Sequence, residues 1–336
     1  MIRRLFIVLI GLILLLAAVS AFLFFSSFNR SPDGSPERVL FTVDPGKSAS
    51  SVADDLHKKG IIENKWPILI GYRLYFSAAT IKAGEYSFDL PLPPRRILEI
   101  LTGGKVNLYS LTIHEGLTRH EMAPLVAEQL QIDPERFIEE AEKISLLADL
   151  DGSALNLEGY LFPETYHLPA GSSAGDVISA MVTQFKQIFT EEWKKRAEEL
   201  GLSIRDIVIL ASLIEKETAV DEERRLVSAV FHNRLRRHMK LDCDPTIIYA
   251  LKEQDSFTGN LRKRDLEWDH PYNTYKYGGL PPGPIANPGK DSLYAALYPA
   301  DVNFLYFVSK NDGSHHFSAS YREHVNAVNE YQRKKR

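Results

Sequence analysis

One cysteine, Cys243, is all that 336 residues contain. A single thiol excludes an intramolecular disulfide and a cysteine-held metal cluster. It leaves the compartment open, because many exported bacterial proteins also lack disulfides. Excess positive charge is missing too: 40 Lys and Arg stand against 44 Asp and Glu, for a net charge of −4. Nothing in that balance suggests nucleic acid. No glycine-rich loop of the phosphate-cradling kind occurs. His114-Glu115 and His120-Glu121 do not make a zinc site, since HExxH needs two histidines four apart on one helical face. Gly171–Gly175 matches G-x-S-x-G in letters only. No buried strand precedes it, and Ser173 with Asp176 reads as the cap of a helix running to about Leu200. Cys243, between Asp242 and Asp244, reads as structural, because flanking carboxylates lower the thiolate fraction. The reading calls for no metal and no cofactor.

What is present begins at the N-terminus. Arg3 and Arg4 precede the uncharged run Leu5–Phe25. At ~1.5 Å per residue this run makes a helix of about 30 Å, enough to cross a bilayer's hydrocarbon core. Phe22–Phe25 carry the apolar run past the cleavage-like Val19-Ser20-Ala21, which favours an uncleaved anchor over a signal peptide. The arginines put residues 1–4 in the cytoplasm and the bulk of the chain outside. A polar linker with two prolines and a glycine follows at 26–38.

Residues 39–106 read as a small domain. Val39–Val43 is a strand and Asp44-Pro45-Gly46 a turn. Ser50-Ser51 cap a helix stopped by Gly60, and a second helix covers Trp66–Tyr75. Lys82–Phe88 alternates as a strand, and Pro94–Leu101 is a third helix. The order resembles the LysM-like module, which binds aminosugar polymers; a plain spacer domain fits the same order. Residues 107–336 then read as one larger mixed domain. It opens with a strand at Val106–Ile113 and a Thr118–Glu121 capping box. Helices follow at Pro134–Lys143 and from Asp221 to about Arg234, and later at Ser292–Leu297. The chain ends in a strand at Leu305–Ser309 and an amphipathic helix at Tyr321–Lys335. The fold class is α+β: a transmembrane helix, a small β-α-α-β domain and a larger mixed α+β domain.

Four stretches carry the chemistry. Asp206–Thr218, DIVILASLIEKET, is an apolar helix that ends in two carboxylates. At about 100° per residue, Glu217 extends the stripe of Leu210, Leu213 and Ile214, whereas Glu215 lies nearer its edge and Ser212 on the polar side. A carboxyl in apolar surroundings has a raised pKa, as a general acid requires. Solvated glutamates at a helix end are the plain alternative. Leu157–Leu168, LEGYLFPETYHL, combines Glu158, Tyr160, Glu164 and Tyr166 in the way a sugar groove is lined. In Phe231–Tyr249, Asn233 ends one helix, and Asp244 with Pro245 starts another as N-cap and N1. Pro271–Pro288, PYNTYKYGGLPPGPIANP, is a proline-stiffened loop offering Tyr272, Asn273, Tyr275, Leu280 and Pro281.

Taken in order, ASLIEKET, FHNRL, DPTIIY, YNTY, GLPPGPIANPG and the Gly313–Phe317 stretch resemble the YceG-like endolytic murein transglycosylases, and the likeness covers nearly the whole chain. It implies a membrane-anchored lyase that cuts the MurNAc-β-1,4-GlcNAc bond of nascent glycan strands and leaves 1,6-anhydroMurNAc ends, which terminates elongation. Glu217 aligns with the family's catalytic acid/base, with Glu215 as fallback, and His315 with the histidine of its H-x-F motif. The implied partners are peptidoglycan strands, the cytoplasmic (inner) membrane and cell-wall synthases, with the bulk of the chain on the periplasmic side. Two other readings remain at this stage. One is a muramidase-type hydrolase with Glu164 or Asp244 as second carboxylate; the other is a non-catalytic wall-binding scaffold.

Overall fold

The computed structural model describes residues 2–44, 46–104, 107–218 and 220–333, with backbone alone for 2–5. The side chains of Arg3 and Arg4, the turn residue Pro45, the strand start Val106 and the tail Lys334–Arg336 lie outside the described residues. The chain divides into two compact units, 1–109 with 167–172, and 110–166 with 173–336.

The first unit opens with α1 (Ile2–Asn29), whose Phe6–Asn29 portion is long and apolar enough to cross a membrane, its most apolar stretch lying outside the protein's interior. β1 (Glu37–Val43) follows, then α2 (Ala49–Lys58), α3 (Trp66–Tyr75), β2 (Gly84–Leu90) and α4 (Pro94–Gly103). β1 and β2 pair antiparallel, Glu37 opposite Leu90 and Val43 opposite Gly84. Inward positions of the strands alternate, as a half-buried sheet requires. Phe41, Tyr86 and Phe88 thereby meet Leu56, Ile68, Ile97 and Leu101 in one core. The order β-α-α-β-α agrees with the sequence reading. Two details differ. Ser48, not Ser50 or Ser51, caps α2, accepting from Ser51 N at 3.2 Å. The supposed linker is also shorter, because α1 runs on through Ser26–Asn29. Phe28 is buried in the unit's core. It fits against α3 at Gly71, where an added Cβ would lie 2.2 Å from its ring.

In the second unit the described residues are mostly helical. β3 (Leu108–Thr112) and β4 (Thr165–Pro169) lie across the division, with Leu108, Tyr109 and His167–Pro169 counted in the first unit. α5 (Arg119–Leu130), α6 (Pro134–Ala141), α7 (Ala174–Ile188), α8 (Glu191–Glu199), α9 (Ile204–Glu217) and α10 (Asp221–Arg236) belong to the second. α11 (Asp244–Glu253), α12 (Lys263–Leu266), α13 (Lys290–Leu297), β5 (Tyr306–Ser309), β6 (His315–Ser318) and α14 (Tyr321–Val328) complete it, and a single π turn prolongs α14 to Arg333. Among the described residues every sheet has two strands, so the mixed α+β class holds. The helix expected from Ser173 to Leu200 is two helices. The backbone leaves helical geometry at Phe189, and the Thr190 side chain accepts from Trp193 N to start α8.

α9 is the central element, with α8, α10, α11 and α13 against it. Ser203 and Asp206 form its capping box. Every residue from Ile207 to Ile214 is buried, including Ser212. The expected polar side is therefore absent there. Ser212 Oγ instead donates to Ile209 O at 2.7 Å and accepts from Ile285 N at 3.1 Å. A buried hydroxyl with both roles filled costs the core little.

Candidate active site

α9 ends at Glu217, where Thr218 turns to an extended conformation and donates its N–H to Ile214 O at 3.2 Å. The Glu217 side chain is half-buried. Its Oε2 accepts from the thiol of the buried Cys243 at 3.6 Å. Desolvation, followed by the negative charge of Asp244, pushes its pKa up to about 7, while the thiol bond and Arg234 pull more weakly downward. Burial and the neighbouring Glu217 raise the thiol's own pKa, so Cys243 remains S–H and acts as a donor. The reading of Cys243 as structural holds, and its thiol in addition bonds Glu217. Glu215 has different surroundings: its Oε2 accepts from Gly289 N at 3.0 Å, and its side chain lies beside Gly116.

Glu217 stands in a groove of about 520 Å³. Arg234, Leu241, Asp242, Asp244, Tyr275, Tyr306, Phe307, His315, Tyr321 and His324 are among its lining residues. The sequence supplies this wall through clamps. Thr274 Oγ1 accepts from Cys243 N at 3.0 Å, and Thr274 O accepts from Asp242 N at 3.3 Å. Tyr275 OH donates to Asp244 Oδ1 at 2.6 Å. Arg234 donates to Leu305 O at 2.7 Å, to Leu241 O at 2.9 Å and to Asp242 Oδ2 at 3.0 Å, tying α10 to both sides of the groove. In the β5–β6 hairpin, Phe307 faces Phe317 and Ser309 faces His315. Glu223 accepts from His315 N at 2.8 Å and meets its Nδ1 at 2.7 Å. With Nδ1 so engaged, Nε2 is the ring nitrogen left for a ligand.

Of the residues named from sequence, Glu217, Asp244, Tyr275 and His315 line this groove. Asp244 does not cap α11. Cys243 holds the N-cap position, and the Asp244 carboxylate receives Tyr275. The other candidates are placed elsewhere. Glu158 is buried and accepts from Arg119 N, Arg119 Nη1 and Asn287 Nδ2. Tyr160 is buried with its hydroxyl on Asp151 at 2.6 Å, and Tyr166 donates to Phe162 O at 2.5 Å. Asn233 donates to Val302 O and Phe304 O, both at 2.8 Å, which fixes the approach to β5. Asn273 donates to Leu266 O and Trp268 O and accepts from Tyr275 N, which holds Tyr275 in place. In this structure these groups are engaged with protein partners within the unit and lie outside the groove lining. Glu164 is exposed, and neither it nor Tyr272, Leu280 or Pro281 is in the groove lining. Tyr272 borders a small cleft with Arg205 and Pro284. The GLPPGPIANP loop lies largely inside the unit, Pro284 against Gly159 and Asn287 Oδ1 accepting from Gly159 N and Leu161 N.

Sequence reasoning missed Glu223, Arg234, Tyr306, Tyr321 and His324. Glu223 was hidden among three acids in the first turn of α10, where acids normally serve the helix dipole.

A carboxyl of raised pKa thus lines an aromatic-lined groove on a mixed α+β scaffold, the surroundings a general acid requires. Comparison with known proteins gives the family. The YceG-like family model matches residues 41–330. An endolytic murein transglycosylase of Bacillus subtilis (strain 168) is 33% identical over 310 residues, covering 87% of this chain and 84% of the relative. An endolytic murein transglycosylase of Streptococcus pneumoniae (serotype 2, strain D39) is 28% identical over 328 residues, covering 88% of this chain and 59% of the relative. The crystal structure of a putative yceG-like protein from Listeria monocytogenes superposes with a TM-score of 0.59 at 29% identity, covering 86% of this chain and 98% of that one. The chain belongs to the YceG-like family.

Proposed function

We propose that this protein is a membrane-anchored endolytic murein transglycosylase with Glu217 as its acid/base. The observation that carries the reading is the Glu217 carboxyl, half-buried in the groove lining with its pKa raised to about 7. Such a group holds a proton near neutral pH and can give it up in the reaction. Glu217 protonates the glycosidic oxygen between MurNAc and GlcNAc, and the C1–O bond breaks. The new carboxylate then takes the proton of the muramyl C6 hydroxyl as O6 bonds to C1. The product is a 1,6-anhydro end, and no water enters. Intramolecular attack carries a proximity advantage and needs no second carboxylate as nucleophile. Asp244 keeps the Glu217 proton in place by its charge, and His315, held by Glu223, offers Nε2 to the sugar. Tyr275, Tyr306 and Tyr321 supply ring faces. α1 holds the enzyme in the cytoplasmic membrane with its bulk on the outer side, near the synthases that export the strands. The LysM-like order of the first unit fits a glycan-binding role.

Mass spectrometry of glycan digested in H₂¹⁸O tests this. Anhydro ends without label are expected, and Glu217→Gln should abolish them. Labelled reducing ends would overturn the lyase reading. They would favour a hydrolase with Asp244 as base, a reading supported by Asp244 sharing the groove with Glu217. Glycan bound but uncut by the wild type would favour a scaffold.

A further inference from the structure

α3, WPILIGYRLY, contains no acidic residue and one charge, Arg73. Trp66, Ile70 and Leu74 are 60%, 41% and 62% exposed. At about 100° per residue these three fall within ~80° of arc, with Arg73 beside Trp66. An exposed apolar stripe of this kind on a short helix marks a contact surface. Gly71 lies about 60° beyond Leu74 on the same helix. It is the notch against which Phe28 of α1 packs, with Tyr75 stacked on Phe28 at a centroid distance of 5.7 Å. The stripe is thus the flank of the helix that grips the end of the apolar span.

The depth of that grip follows from the span. Leu5–Phe25 fills a hydrocarbon core of about 30 Å, and Phe28 sits three residues on, ~4.5 Å further along the axis. The headgroup layer adds roughly 5–7 Å on each side of the core. With α1 as a span, Phe28 and the Gly71 notch of α3 that receives it lie at the level of the headgroups. Trp and Tyr favour that level, and an Arg stem can lie along apolar surface while its head reaches phosphate.

We propose that the Trp66–Ile70–Leu74 face of α3 lies in the lipid headgroup and upper acyl region of the outer leaflet, so that the first unit meets the membrane through α3 as well as α1. The inference rests on α1 being a membrane span. It makes the first unit a seated collar around the exit of α1 instead of a domain hung on a linker. A phospholipid surface is the occupant because the face continues from the exposed apolar side chains of α1 across the packed Phe28–Gly71 contact.

The test uses the full chain in phospholipid nanodiscs with a nitroxide on one introduced cysteine: Ile70→Cys, Leu74→Cys, Leu14→Cys within the span, or Glu191→Cys as an aqueous reference. Cys243 is buried, and an unmutated sample measures its background. Collision rates with oxygen, which concentrates in lipid, and with a water-soluble nickel chelate give each label's depth. The expected result is a lipid-type ratio at Leu14 and, at lesser depth, at both Ile70 and Leu74, with a water-type ratio at Glu191. A lipid-type Leu14 with water-type Ile70 and Leu74 would overturn the proposal and leave the anchor intact. A water-type Leu14 would remove the anchor and the proposal with it. Dipolar broadening at Ile70 or Leu74 that disappears on dilution with unlabelled protein would overturn it in favour of a second copy of the chain.

Discussion

Glu217→Gln should make the protein more stable while it destroys the chemistry, and the gain should depend on pH. The Glu217 pKa is raised from 4.5 to about 7 in the folded protein, first by desolvation and then by Asp244. In the unfolded chain the carboxyl ionises near 4.5. Between pH 4.5 and 7 the native state therefore holds more protons than the unfolded state, so stability falls as pH rises through that window and levels off above it. At 1.36 kcal/mol per pKa unit the loss amounts to about 3 kcal/mol. Glutamine keeps the shape and never ionises, so it escapes the loss. Near pH 4.5 the two proteins should melt together. At pH 8 the variant's second unit should melt roughly 6–12 °C higher, at about 2–4 °C per kcal/mol for a unit of this size. Thermal melts of both full-length proteins in the same detergent, from pH 4.5 to 8, read the difference directly. A gap that is the same at every pH would refute the argument, because packing and not titration would then explain it. No gap at pH 8 would refute it equally.

Other consequences can be checked one at a time. Because the acid must enter the reaction protonated, kcat/KM for glycan should fall about tenfold per pH unit above about 7. Asp244→Asn removes a charge that raises the Glu217 pKa, so the basic limb of that profile should move to lower pH. An unmoved limb would detach the limb from Glu217. Arg119→Ala strands Glu158, which is buried and accepts from Arg119 at Nη1 and N. It should cost ~3–5 kcal/mol in denaturant melts, and adding Glu158→Gln should restore part of the loss. Gly159 has φ +88°, and a Cβ there would lie 2.5 Å from Pro284. Gly159→Ala should therefore destabilise by roughly 2–5 kcal/mol, combining left-handed strain with overpacking.

Local signals in the sequence were read well where the physics is local. The Thr118 and Ser173 capping boxes form, and α3 has the expected bounds. A hydroxyl three residues before a carboxylate decides a helix start without help from the rest of the chain. The break between α7 and α8 was missed because Thr190 lies in an otherwise continuous amphipathic pattern. The extension of α1 was missed for a different reason. Ser26–Asn29 reads as polar linker until Phe28 meets Gly71, and a glycine at that distance in sequence announces no partner.

The site divides in the same way. Periodicity sets Glu217 apart from Glu215, because one turn of helix decides which carboxyl follows the apolar stripe, and the two carboxyls do have different surroundings. It did not show what holds Glu215, since Gly289 N belongs to a distant loop. The aromatic, proline-rich and carboxylate-rich stretches were read as groove wall because sugar binding and tight internal packing draw on the same residues. A Tyr hydroxyl serves either purpose; the partner decides. Tyr160 finds Asp151 inside the unit, whereas Tyr275 finds Asp244 at the groove. The neighbours Asn273 and Thr274 are buried and fill their bonds with backbone. The YNTY motif therefore acts as a clamp with one working face: two polar residues fix the Cys243–Asp244 segment and the loop, and only the second tyrosine reaches the groove. The acid at the end of α9 needs its desolvating and charged neighbours held in place, and each clamp removes a way for Asp244 or Cys243 to drift from Glu217.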